Sequence, residues 1–534
     1  MSFTDLGKIT YKKNCKSISL PLIDIPQEIS MHADFIAYRE DEHIRIYDRK
    51  CDHNGGKLCL LDSVIKCPMH DWTFDARVGK YTNIEVSKKE LDYEIIGDNL
   101  VVNFNHDEPT LPGNKKLEIT ITYLSHACLL IETNEVSFIT DPWIVGFAFA
   151  SGWWPKSSPP KDWRKIVNSV DFIYISHNHP DHLNLFTLKY VREDMEYIVP
   201  DFESQSVSKM LIKNGFNNIF KAKFQNYYRY KNTELLLTIF KSGDFRDDSG
   251  LYFTYGNFSF LSTVDSNDLN FQKFPTDITL FSSSFAGGAS GYPLCFETVN
   301  SIEKIKVLDR NRKAIKATVR QNIKRSGAKF FLPYAGFFTE SAQRDLEILQ
   351  NNRKNTVEDF TDIVASTPLL NINEFDKYFF NGSKLFDYQN IQRDSLNLES
   401  PEAIMENVFH NCLFSESNIQ SYFDNCSFQK ELILYLTLTN DNFSKTYNSL
   451  IVDFRGSQVD VNFINFNWQK IKKDRSEKDI HNILHIKVRQ DSFVWVIDNK
   501  MPWEDLSIGF QCRIDRVPDI YNIDFWHHFT NIYI

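Results

Sequence analysis

Apolar residues follow two different patterns on either side of about residue 117. Between residues 20 and 105 the apolar runs are short, rich in β-branched and aromatic residues, and partly alternating, as in DFIAYRE, HIRIYD and NLVVNF. This pattern is typical of short strands separated by turns, so we predict an all-β domain over residues 1–108. The segment NHDEPTLPGNKK that follows is polar and contains two prolines and one glycine, which predicts a linker over residues 109–116.

From residue 117 onward, strand patterns alternate with helix patterns. The strand-like runs include LEITITYLSHACLLIET, SVDFIYIS, ELLLTIF, GLYFTYG and FSFLSTVD, and the helix-like runs are LFTLKYV and SQSVSKMLIKNG. Such alternation predicts layered sheets and helices, and we assign residues 117–365 to one domain. The pattern beyond residue 366 is mixed, and we predict a C-terminal α/β extension over residues 366–534 that completes the fold or the substrate site. The fold class is therefore α+β and multidomain.

Composition narrows the class of protein. The chain has 534 residues and 42% hydrophobic residues, enough for several packed cores, and 60 basic against 70 acidic residues give a net charge of −10. An acidic chain is a poor non-specific ligand for nucleic acid, so we expect no nucleic-acid partner. The N-terminus lacks a signal-peptide pattern, and no apolar run approaches the ~20 residues that span a bilayer. We therefore expect a cytoplasmic protein with no membrane span. Nine cysteines, an odd number spread thinly, do not indicate a disulfide framework.

One candidate metal motif lies in the first domain. Cys51-x-His53 is followed by Cys67-x-x-His70, and Gly55 and Gly56 stand beside the first pair. Two Cys–His pairs on two β-loops are typical of a Rieske [2Fe–2S] cluster, in which two thiolates hold one iron and two imidazoles the other. The alternative is a Cys2His2 zinc site, but zinc fingers usually group the cysteines together and the histidines together. We favour the Rieske cluster, which indicates a one-electron relay.

A second metal motif follows the strand SVDFIYIS. It is His177-x-His179-x-Asp181-His182, and histidines at this density after a buried strand indicate a metal site rather than a solvated turn. The placement resembles the metallo-β-lactamase fold, an αββα sandwich whose metal centre lies on loops at its edge, and the resemblance implies this fold for residues 117–365. In that resemblance Asp265, at the end of FSFLSTVD, takes the position of a metal-binding and often bridging aspartate. His177, His179, Asp181 and His182 are also the predicted catalytic residues.

The supply of further ligands favours iron over zinc. No histidine occurs between His182 and His410, whereas dinuclear zinc hydrolases of this fold take two more histidines from later loops. Carboxylates must replace them, and the candidates are Asp244, Asp247, Asp248 and Asp265. Carboxylate ligands suit harder metals, and histidines plus a carboxylate with open positions are typical of oxygen-activating ferrous sites. Zinc also accepts carboxylates, so it stays an alternative. We predict non-haem iron, one ion or two, with Asp244 among the ligands.

The order of the two motifs resembles the CMP-N-acetylneuraminate hydroxylase family. The matching segments include ITYLSHACLLI, DPWIVGFAFASGWW, DFIYISHNHPDHLN, FAGGASGYP, LPYAGFFTES, IGFQCRIDR and PDIYNIDFWHHF. The resemblance implies hydroxylation of the N-acetyl group of CMP-N-acetylneuraminate, or of a close analogue, to N-glycolyl. It implies O2 as co-substrate and electrons from NADH, delivered by a carrier such as cytochrome b5; a ferredoxin with its reductase is equally plausible here. Two departures are Asp244, where family members carry a histidine, and the poorly matching residues 370–480.

Several residues are candidates for substrate contacts. His126, in SHACLL, follows a strand at the expected sheet end and is either a group near the metal or a hydrogen-bonded turn histidine. Gly287, Gly288 and Ser290 belong to a small, glycine-rich stretch whose backbone amides can approach an anion. Arg320 and Lys324 supply positive charge for an anionic substrate, although a solvated helix face is the somewhat favoured explanation of this stretch.

Two other functions fit parts of the sequence. The first is a metal-dependent hydrolase, such as a phosphodiesterase, with the Rieske domain as a redox sensor. The second is a non-enzymatic redox carrier, which the intact histidine cluster disfavours. The predicted function is a monooxygenase, because an unactivated C–H bond requires an oxidant made from O2 with supplied electrons.

Overall fold

A computed structural model describes most of the chain. The described residues are 2–531 without 8–10, 53–56, 62, 68–71, 110–115, 157, 244–245, 267–268, 270–275, 364–366, 371–375, 391–395, 397–398 and 476–480. Among them, no helix is long and apolar enough to cross a membrane.

The N-terminal part of the chain is made of short strands and one 3-10 turn, Leu22–Asp24. Its strands are β1 (Phe3–Gly7), β2 (Tyr11–Pro21), β3 (Glu28–Met31), β4 (Phe35–Glu40), β5 (His43–Asp48), β6 (Cys59–Leu61), β7 (Val64–Lys66), β8 (Thr73–Asp75), β9 (Lys80–Tyr81), β10 (Asp92–Ile96) and β11 (Asn99–Pro109). Ten of them form three small sheets, in the orders β10-β11-β2, β3-β4-β5 and β6-β7-β8-β9. We call these three sheets the cluster domain, because they carry Cys51 and Cys67.

The middle of the chain alternates strands and helices. Its elements are β12 (Glu118–Ser125), β13 (Cys128–Thr133), β14 (Ser137–Thr140), β15 (Trp154–Pro155), α1 (Trp163–Ser169), β16 (Phe172–Tyr174), α2 (Leu185–Leu188), β17 (Glu196–Pro200), α3 (Ser206–Lys213), β18 (Ile219–Ala222), β19 (Tyr227–Tyr230), β20 (Leu235–Lys241), β21 (Ser249–Tyr255), β22 (Phe258–Ser262), β23 (Leu280–Ser283), α4 (Ser301–Ser326), β24 (Phe330–Pro333), β25 (Phe338–Thr339) and α5 (Leu346–Asn351). Two 3-10 turns, Gln343–Asp345 and Val357–Ile363, flank α5.

The C-terminal part begins with two strands of the eight-stranded sheet, β26 and β27, and continues as a second α/β unit. Its elements are β26 (Asp376–Asn381), β27 (Lys384–Asn390), α6 (Pro401–Phe409), α7 (Glu416–Asp424), β28 (Leu432–Thr439), β29 (Thr446–Asp453), β30 (Asp460–Asn462), α8 (Trp468–Asp474), β31 (Asn482–Arg489), α9 (Gln490–Asn499), α10 (Glu504–Ile508), β32 (Cys512–Val517) and α11 (Ile523–Asn531). Five of the strands form a sheet of order β30-β29-β28-β31-β32, which we call the C-terminal sheet.

Two large sheets pack face to face and form a sandwich. One has eight strands in the order β18-β17-β16-β14-β13-β12-β26-β27, and the other seven in the order β1-β19-β20-β21-β22-β23-β24. Apolar residues of both inner faces share one core, including Ile121, Phe138, Phe253 and Phe260. Helix α4 covers the seven-stranded sheet through Val319 and Ile323. Helices α1 and α3 cover the other sheet, so the order of layers is the αββα arrangement that the sequence predicts.

The sandwich includes strands from outside the predicted segment 117–365, on both its N-terminal and its C-terminal side. β1 pairs with β19 in antiparallel fashion, and β26 pairs with β12. The predicted boundaries at residues 108 and 365 place β1 in the first domain and β26 in the C-terminal extension, whereas the structure incorporates both strands in the sandwich. For β1 the physical reason is Phe3, which is 3% exposed and contacts the rings of Phe172, Phe220 and Tyr230.

The C-terminal sheet is joined to the sandwich by a shared core and by buried polar contacts. Apolar residues of α9 and β28 pack in the same cluster as those of α1 and α3. Arg489 forms a buried ion pair with Asp345, and the Ile514 amide donates to the Cys295 carbonyl at 2.7 Å. Because unpaired buried charges are costly, the pair fixes how the two parts meet.

Two described contacts join the cluster domain to the sandwich. The backbone N–H of Lys57 donates to the carbonyl of Gly243. Lys57 follows the segment that begins at Cys51, which we call the first cluster loop. The Arg325 guanidinium of α4 lies 3.2 Å from the Asp34 carboxylate. Gly243 lies five residues before Asp248 in the sequence. The first contact therefore connects the segment that follows Cys51 with the segment that leads to the candidate ligand Asp248.

The docking of β1 predicts a localised loss of stability. Phe3→Ala removes a buried aromatic ring from the sandwich core, and such changes cost at least about 3 kcal/mol. In a domain of this size that corresponds to a drop of roughly 6–12 °C in the unfolding temperature, measured by scanning calorimetry on the full chain. Leu6→Ala is the matched control, because Leu6 lies on the same strand and is 39% exposed. Equal effects of the two changes would contradict the assignment of β1 to the sandwich core.

Candidate metal centre

The histidine cluster occupies the loop at the carboxyl end of β16, a buried strand with parallel neighbours on both sides. Asn184 fixes this loop: its side chain accepts from the Thr187 amide at 3.0 Å and donates to the Pro180 carbonyl at 2.8 Å. His177, His179 and His182 are 1%, 8% and 0% exposed. The sequence therefore directs several imidazoles into one buried space at a sheet edge.

Three side chains form a first group of possible ligands. They are His177, His179 and Asp265, whose ligand atoms lie within 4.8 Å of one another. Nε2 of His177 is 2.9 Å from Nδ1 of His179 and 3.9 Å from Oδ2 of Asp265. Asp248 stands beside this group, with its Oδ1 3.8 Å from the same Nε2 of His177.

A second group comprises His126, Asp181 and His182. Oδ2 of Asp181 lies 3.1 Å from Nε2 of His126 and 3.4 Å from Nε2 of His182. Oδ2 of Asp265 is 3.5 Å from the latter nitrogen. Because Asp265 is within 4 Å of a histidine in each group, the arrangement has the form of two adjacent metal positions with one carboxylate between them.

Polar groups on the outside hold two histidines of the cluster, His177 and His182, in position. Oγ of Ser176 lies 2.9 Å from Nδ1 of His177 and donates to Asp141 at 2.7 Å. The same Asp141 carboxylate is 3.0 Å from Nδ1 of His182. Both imidazoles therefore direct Nε2 towards the centre of the site, as ligands oriented by outer hydrogen bonds do.

The electrostatics favour positive charge at the site. Burial alone would lower the pKa of His182, but Asp181 and Asp141 hold it well above its usual value. Burial would raise the pKa of Asp181 and of Asp265, but the adjacent histidines lower both, that of Asp265 to about 2. In contrast, burial and the neighbouring imidazoles lower the pKa of His177 well below its usual value. The carboxylates of Asp181 and Asp265 are thus ionised, and their negative charge favours the binding of cations.

A metal ion fits the residues present. Among the described residues of the site, buried atoms without a hydrogen-bond partner include Oδ1 of Asp181, Nε2 of His182 and Oδ2 of Asp248. A buried polar atom left unpaired costs about 1–3 kcal/mol. Bound cations explain these unpaired atoms, and a set of imidazoles and carboxylates is the donor set of non-haem iron.

An aromatic wall lines one side of the site. His126 contacts Trp143 and Phe338, with ring centroids 5.1 and 6.1 Å apart, and Trp153 stacks on Phe338 at 3.6 Å. Phe149 contacts the ring of His179 at 5.7 Å. Trp143 and Trp153 are 0% and 1% exposed, so this wall keeps water from the site.

The cluster domain retains its two predicted thiolate ligands in buried positions. Cys51 and Cys67 are 1% and 0% exposed and pack with Tyr47, Phe74 and Tyr81. The Tyr81 hydroxyl donates to Asp52 at 2.8 Å, which holds the first cluster loop. Two buried cysteines on adjacent β-loops fit an iron–sulfur cluster. The predicted imidazole ligands His53 and His70 lie outside the described residues, as does the predicted metal ligand Asp244.

The predicted substrate residues occupy two places. Gly287 and Gly288 have positive φ angles of 71° and 76°, and a Cβ on Gly288 would lie 2.8 Å from Oδ1 of Asn352, so this stretch needs glycine. Ser290, next to it, is exposed. On α4, Arg320 pairs with Asp362 and Lys324 is exposed. The structure records no contact between these residues and the two ligand groups.

Sequence reasoning missed two residues at the site, Asp141 and Glu504. Asp141, in DPW, supports two histidines; its position directly after a buried strand was the available signal. Asp248 was one of several candidates, but Asp244 was preferred. Glu504 lies 3.4 Å from Nε2 of His179, and nothing in the sequence indicates that residue 504 returns to this loop. His126, for which two roles were open, joins the second ligand group.

Comparison with known families agrees with both metal motifs. Residues 14–103 match the Rieske [2Fe-2S] domain, and residues 120–280 match the β-lactamase superfamily domain. An iron–sulfur relay joined to a second metal centre on a lactamase-type sandwich defines an oxidoreductase of the Rieske-type monooxygenase class.

Curated relatives give the particular family. The chain is 31% identical over 547 residues to the cytidine monophosphate-N-acetylneuraminic acid hydroxylase of Xenopus laevis, covering 93% of this chain and 88% of that one. It is 29% identical to the protein of the same name in Mus musculus, covering 93% and 90%. The chain belongs to the cytidine monophosphate-N-acetylneuraminic acid hydroxylase family. Among solved structures it is similar to CmlA, a diiron β-hydroxylase from Streptomyces venezuelae, with 15% identity, 51% and 55% coverage and a TM-score of 0.32.

Removal and reloading of metal should test whether Asp265 binds metal between the two groups, because it is within 4 Å of a histidine in each group. A bound ion at a hundred times its Kd stabilises the folded state by about 2.7 kcal/mol, so reloading the stripped full chain with Co²⁺ should raise its unfolding temperature. Asp265→Ala should remove most of this rise, measured by scanning fluorimetry. The control Asp362→Ala should retain it, because Asp362 is an exposed carboxylate that pairs with Arg320 of α4. A full rise in the Asp265→Ala protein would contradict its position between the two groups.

Proposed function

We propose that the protein hydroxylates the N-acetyl group of CMP-N-acetylneuraminate, or of a close analogue, to N-glycolyl. The net reaction consumes O2, two electrons and two protons, and gives the hydroxylated product and water. The observation that carries this proposal is the alignment to hydroxylases of that name over 93% of the chain, which includes both metal motifs.

The catalytic centre in this proposal holds two irons. His177, His179, Asp265 and Asp248 would bind one, and His126, Asp181, His182 and the shared Asp265 the other, with Asp244 as a further candidate. The bound metal supplies what side chains lack, the activation of O2 with supplied electrons. His177, His179, Asp181 and His182 would be the catalytic residues, since they would hold the metal ions that supply this chemistry.

The remaining residues bind, orient and exclude water. Cys51, His53, Cys67 and His70 would hold the [2Fe–2S] cluster, and Lys88 fixes the first cluster loop through Asp48 and Asp52 at 2.7 and 3.1 Å. Trp143, Trp153 and Phe338 keep bulk water from the site. Water exclusion matters here because it prevents loss of the oxidising power to solvent.

An anionic substrate needs local positive charge, because the chain as a whole is acidic. Arg246 and His527 lie with Asn178 and Asp247 around the crevice that opens beside His179. Arg246 is exposed and suits a phosphodiester or carboxylate at this rim. Contacts from Gly287, Gly288 and Ser290 are proposed from their conformation, while contacts from Arg320 and Lys324 rest on the sequence alone.

Electrons would come from NADH through a carrier that docks on the cluster domain. Cytochrome b5 and a ferredoxin with its reductase are the two candidates.

A cytoplasmic location goes with this proposal, because such a compartment is reducing and its proteins usually carry free thiols. The free thiols here are Cys59, Cys128, Cys295, Cys412, Cys426 and Cys512. The division into residues 1–108, 109–116, 117–365 and 366–534 is kept as a proposal for sequence segments, with β1 and β26 contributed to the sandwich.

The test is metal analysis with EPR on protein purified without oxygen, followed by a product assay. With O2 and a reductant, we expect product heavier by one oxygen atom, and the label from ¹⁸O2 in the N-glycolyl group. Stoichiometric zinc in place of the second iron, with hydrolysed substrate, would replace this proposal by the metal-dependent hydrolase. A reducible cluster and iron without product would reject this substrate.

Two variants should separate the cluster from the catalytic centre. His177→Ala should abolish product while the EPR signal of the reduced cluster stays, because His177 belongs only to the lactamase-type site. Cys67→Ala should lose the cluster signal and, with it, product formation from a reduced carrier. Product from either variant at the native rate, in the same mass-spectrometric assay, would contradict the proposed division of roles.

A further inference from the structure

We propose that Glu504 positions His179 as a metal ligand, so that helix α10 of the C-terminal part completes the centre on the sandwich. This inference rests on the proposed function only in assuming a bound metal. Oε2 of Glu504 lies 3.4 Å from Nε2 of His179, across 325 residues of sequence.

The two nitrogens of His179 face different partners. Nδ1 is 2.9 Å from Nε2 of His177, which is the interior of the first ligand group, while Nε2 points outward to Glu504. A neutral imidazole carries its proton on one nitrogen only. If the proton is on Nε2 and this N–H donates a hydrogen bond to the Glu504 carboxylate, Nδ1 has no proton. The lone pair of Nδ1 is then directed at the metal position. The carboxylate thus selects the tautomer that can bind.

The same logic already applies to the other two histidines of the cluster. His177 has its outer nitrogen on Ser176, and His182 has its outer nitrogen on Asp141. Both of those partners come from the sandwich, close to β14 and β16. His179 is the third histidine of the cluster, and the partner of its outer nitrogen comes from α10.

The position of Glu504 is set by a tightly packed platform. A Cβ on Gly152 would overlap the backbone of Gly509, and one on Gly509 would overlap the carbonyl of Phe149, so α10 lies backbone to backbone against the Phe149–Gly152 loop. Phe149 itself contacts the ring of His179. Trp503 is fully buried and donates to the Tyr422 hydroxyl at 2.8 Å. Glu504 therefore has little freedom to leave His179, and its side chain is only 14% exposed.

The experiment uses the full chain loaded with Co²⁺ at the lactamase-type centre. Three variants are compared with the native protein: Glu504→Ala, Glu504→Gln, which keeps an acceptor oxygen without the charge, and Glu347→Gln, an exposed carboxylate of α5 that serves as control. Loss of an outer partner typically weakens metal binding by about 10- to 100-fold. We expect release of Co²⁺ to a chelator to be faster by that factor in Glu504→Ala, intermediate in Glu504→Gln and unchanged in Glu347→Gln.

Two further readouts distinguish positioning from other roles. The ligand-field spectrum of bound Co²⁺ should keep its shape in Glu504→Gln, because the ligand set is unchanged, and the metal-free unfolding temperature should stay at the native value. Release at the native rate, an altered spectrum that marks Glu504 as a direct ligand, or a metal-free protein that unfolds much earlier would each overturn the proposal. No substrate or turnover is involved, so these results are independent of whether the protein hydroxylates CMP-N-acetylneuraminate.

Discussion

A concentration of buried negative charge is the constraint on which the functional part of the molecule depends. Five carboxylates surround the four histidines of the site: Asp141, Asp181, Asp248, Asp265 and Glu504. A sixth carboxyl group, that of Asp505, is buried beside them, and burial raises its pKa well above its usual value, which favours its neutral form. So many acidic groups in a low-dielectric space repel one another unless cations balance them. The site is therefore a place where bound metal contributes to the stability of the fold as well as to its chemistry.

Local pattern was sufficient for much of the fold. The strand and helix patterns between residues 117 and 265 correspond to β12, β13, β16, β20–β22, α2 and α3, because the strands are largely apolar runs and α3 has one apolar face. Helix α3 spans Ser206–Lys213, within the predicted run that closes on Gly215. What the pattern could not give is which sheet an isolated strand joins. The five residues of β1 contain one buried position, Phe3, and an edge strand of that length has no signal for its partner.

The residues of the site also fall into those that the sequence reveals and those that depend on how distant parts of the chain pack together. The histidines and Asp181 lie within six residues and follow a recognisable strand, so their clustering is a local property that sequence reveals. Asp265 could be named from the resemblance to the metallo-β-lactamase fold, which has a metal-binding aspartate at this position; it follows β22 of the opposite sheet. Glu504 depends on how the C-terminal sheet docks on the sandwich, through contacts such as Arg489 with Asp345. Contacts of that kind join residues with no shared period or motif, so single-sequence reasoning has nothing from which to infer them.

The pairing of β1 with β19 has a consequence for how the two metal-bearing parts meet. Since β1 and β12 both belong to the sandwich, the cluster domain is inserted between two anchored points of the chain and is attached at both ends. A domain tethered in this way samples a small volume, and its effective concentration at the sandwich is set by the length of the two connections rather than by the amount of protein present. Dilution therefore leaves the encounter between the two parts of one chain unchanged, whereas a carrier that arrives from solution meets the chain less often as it is diluted.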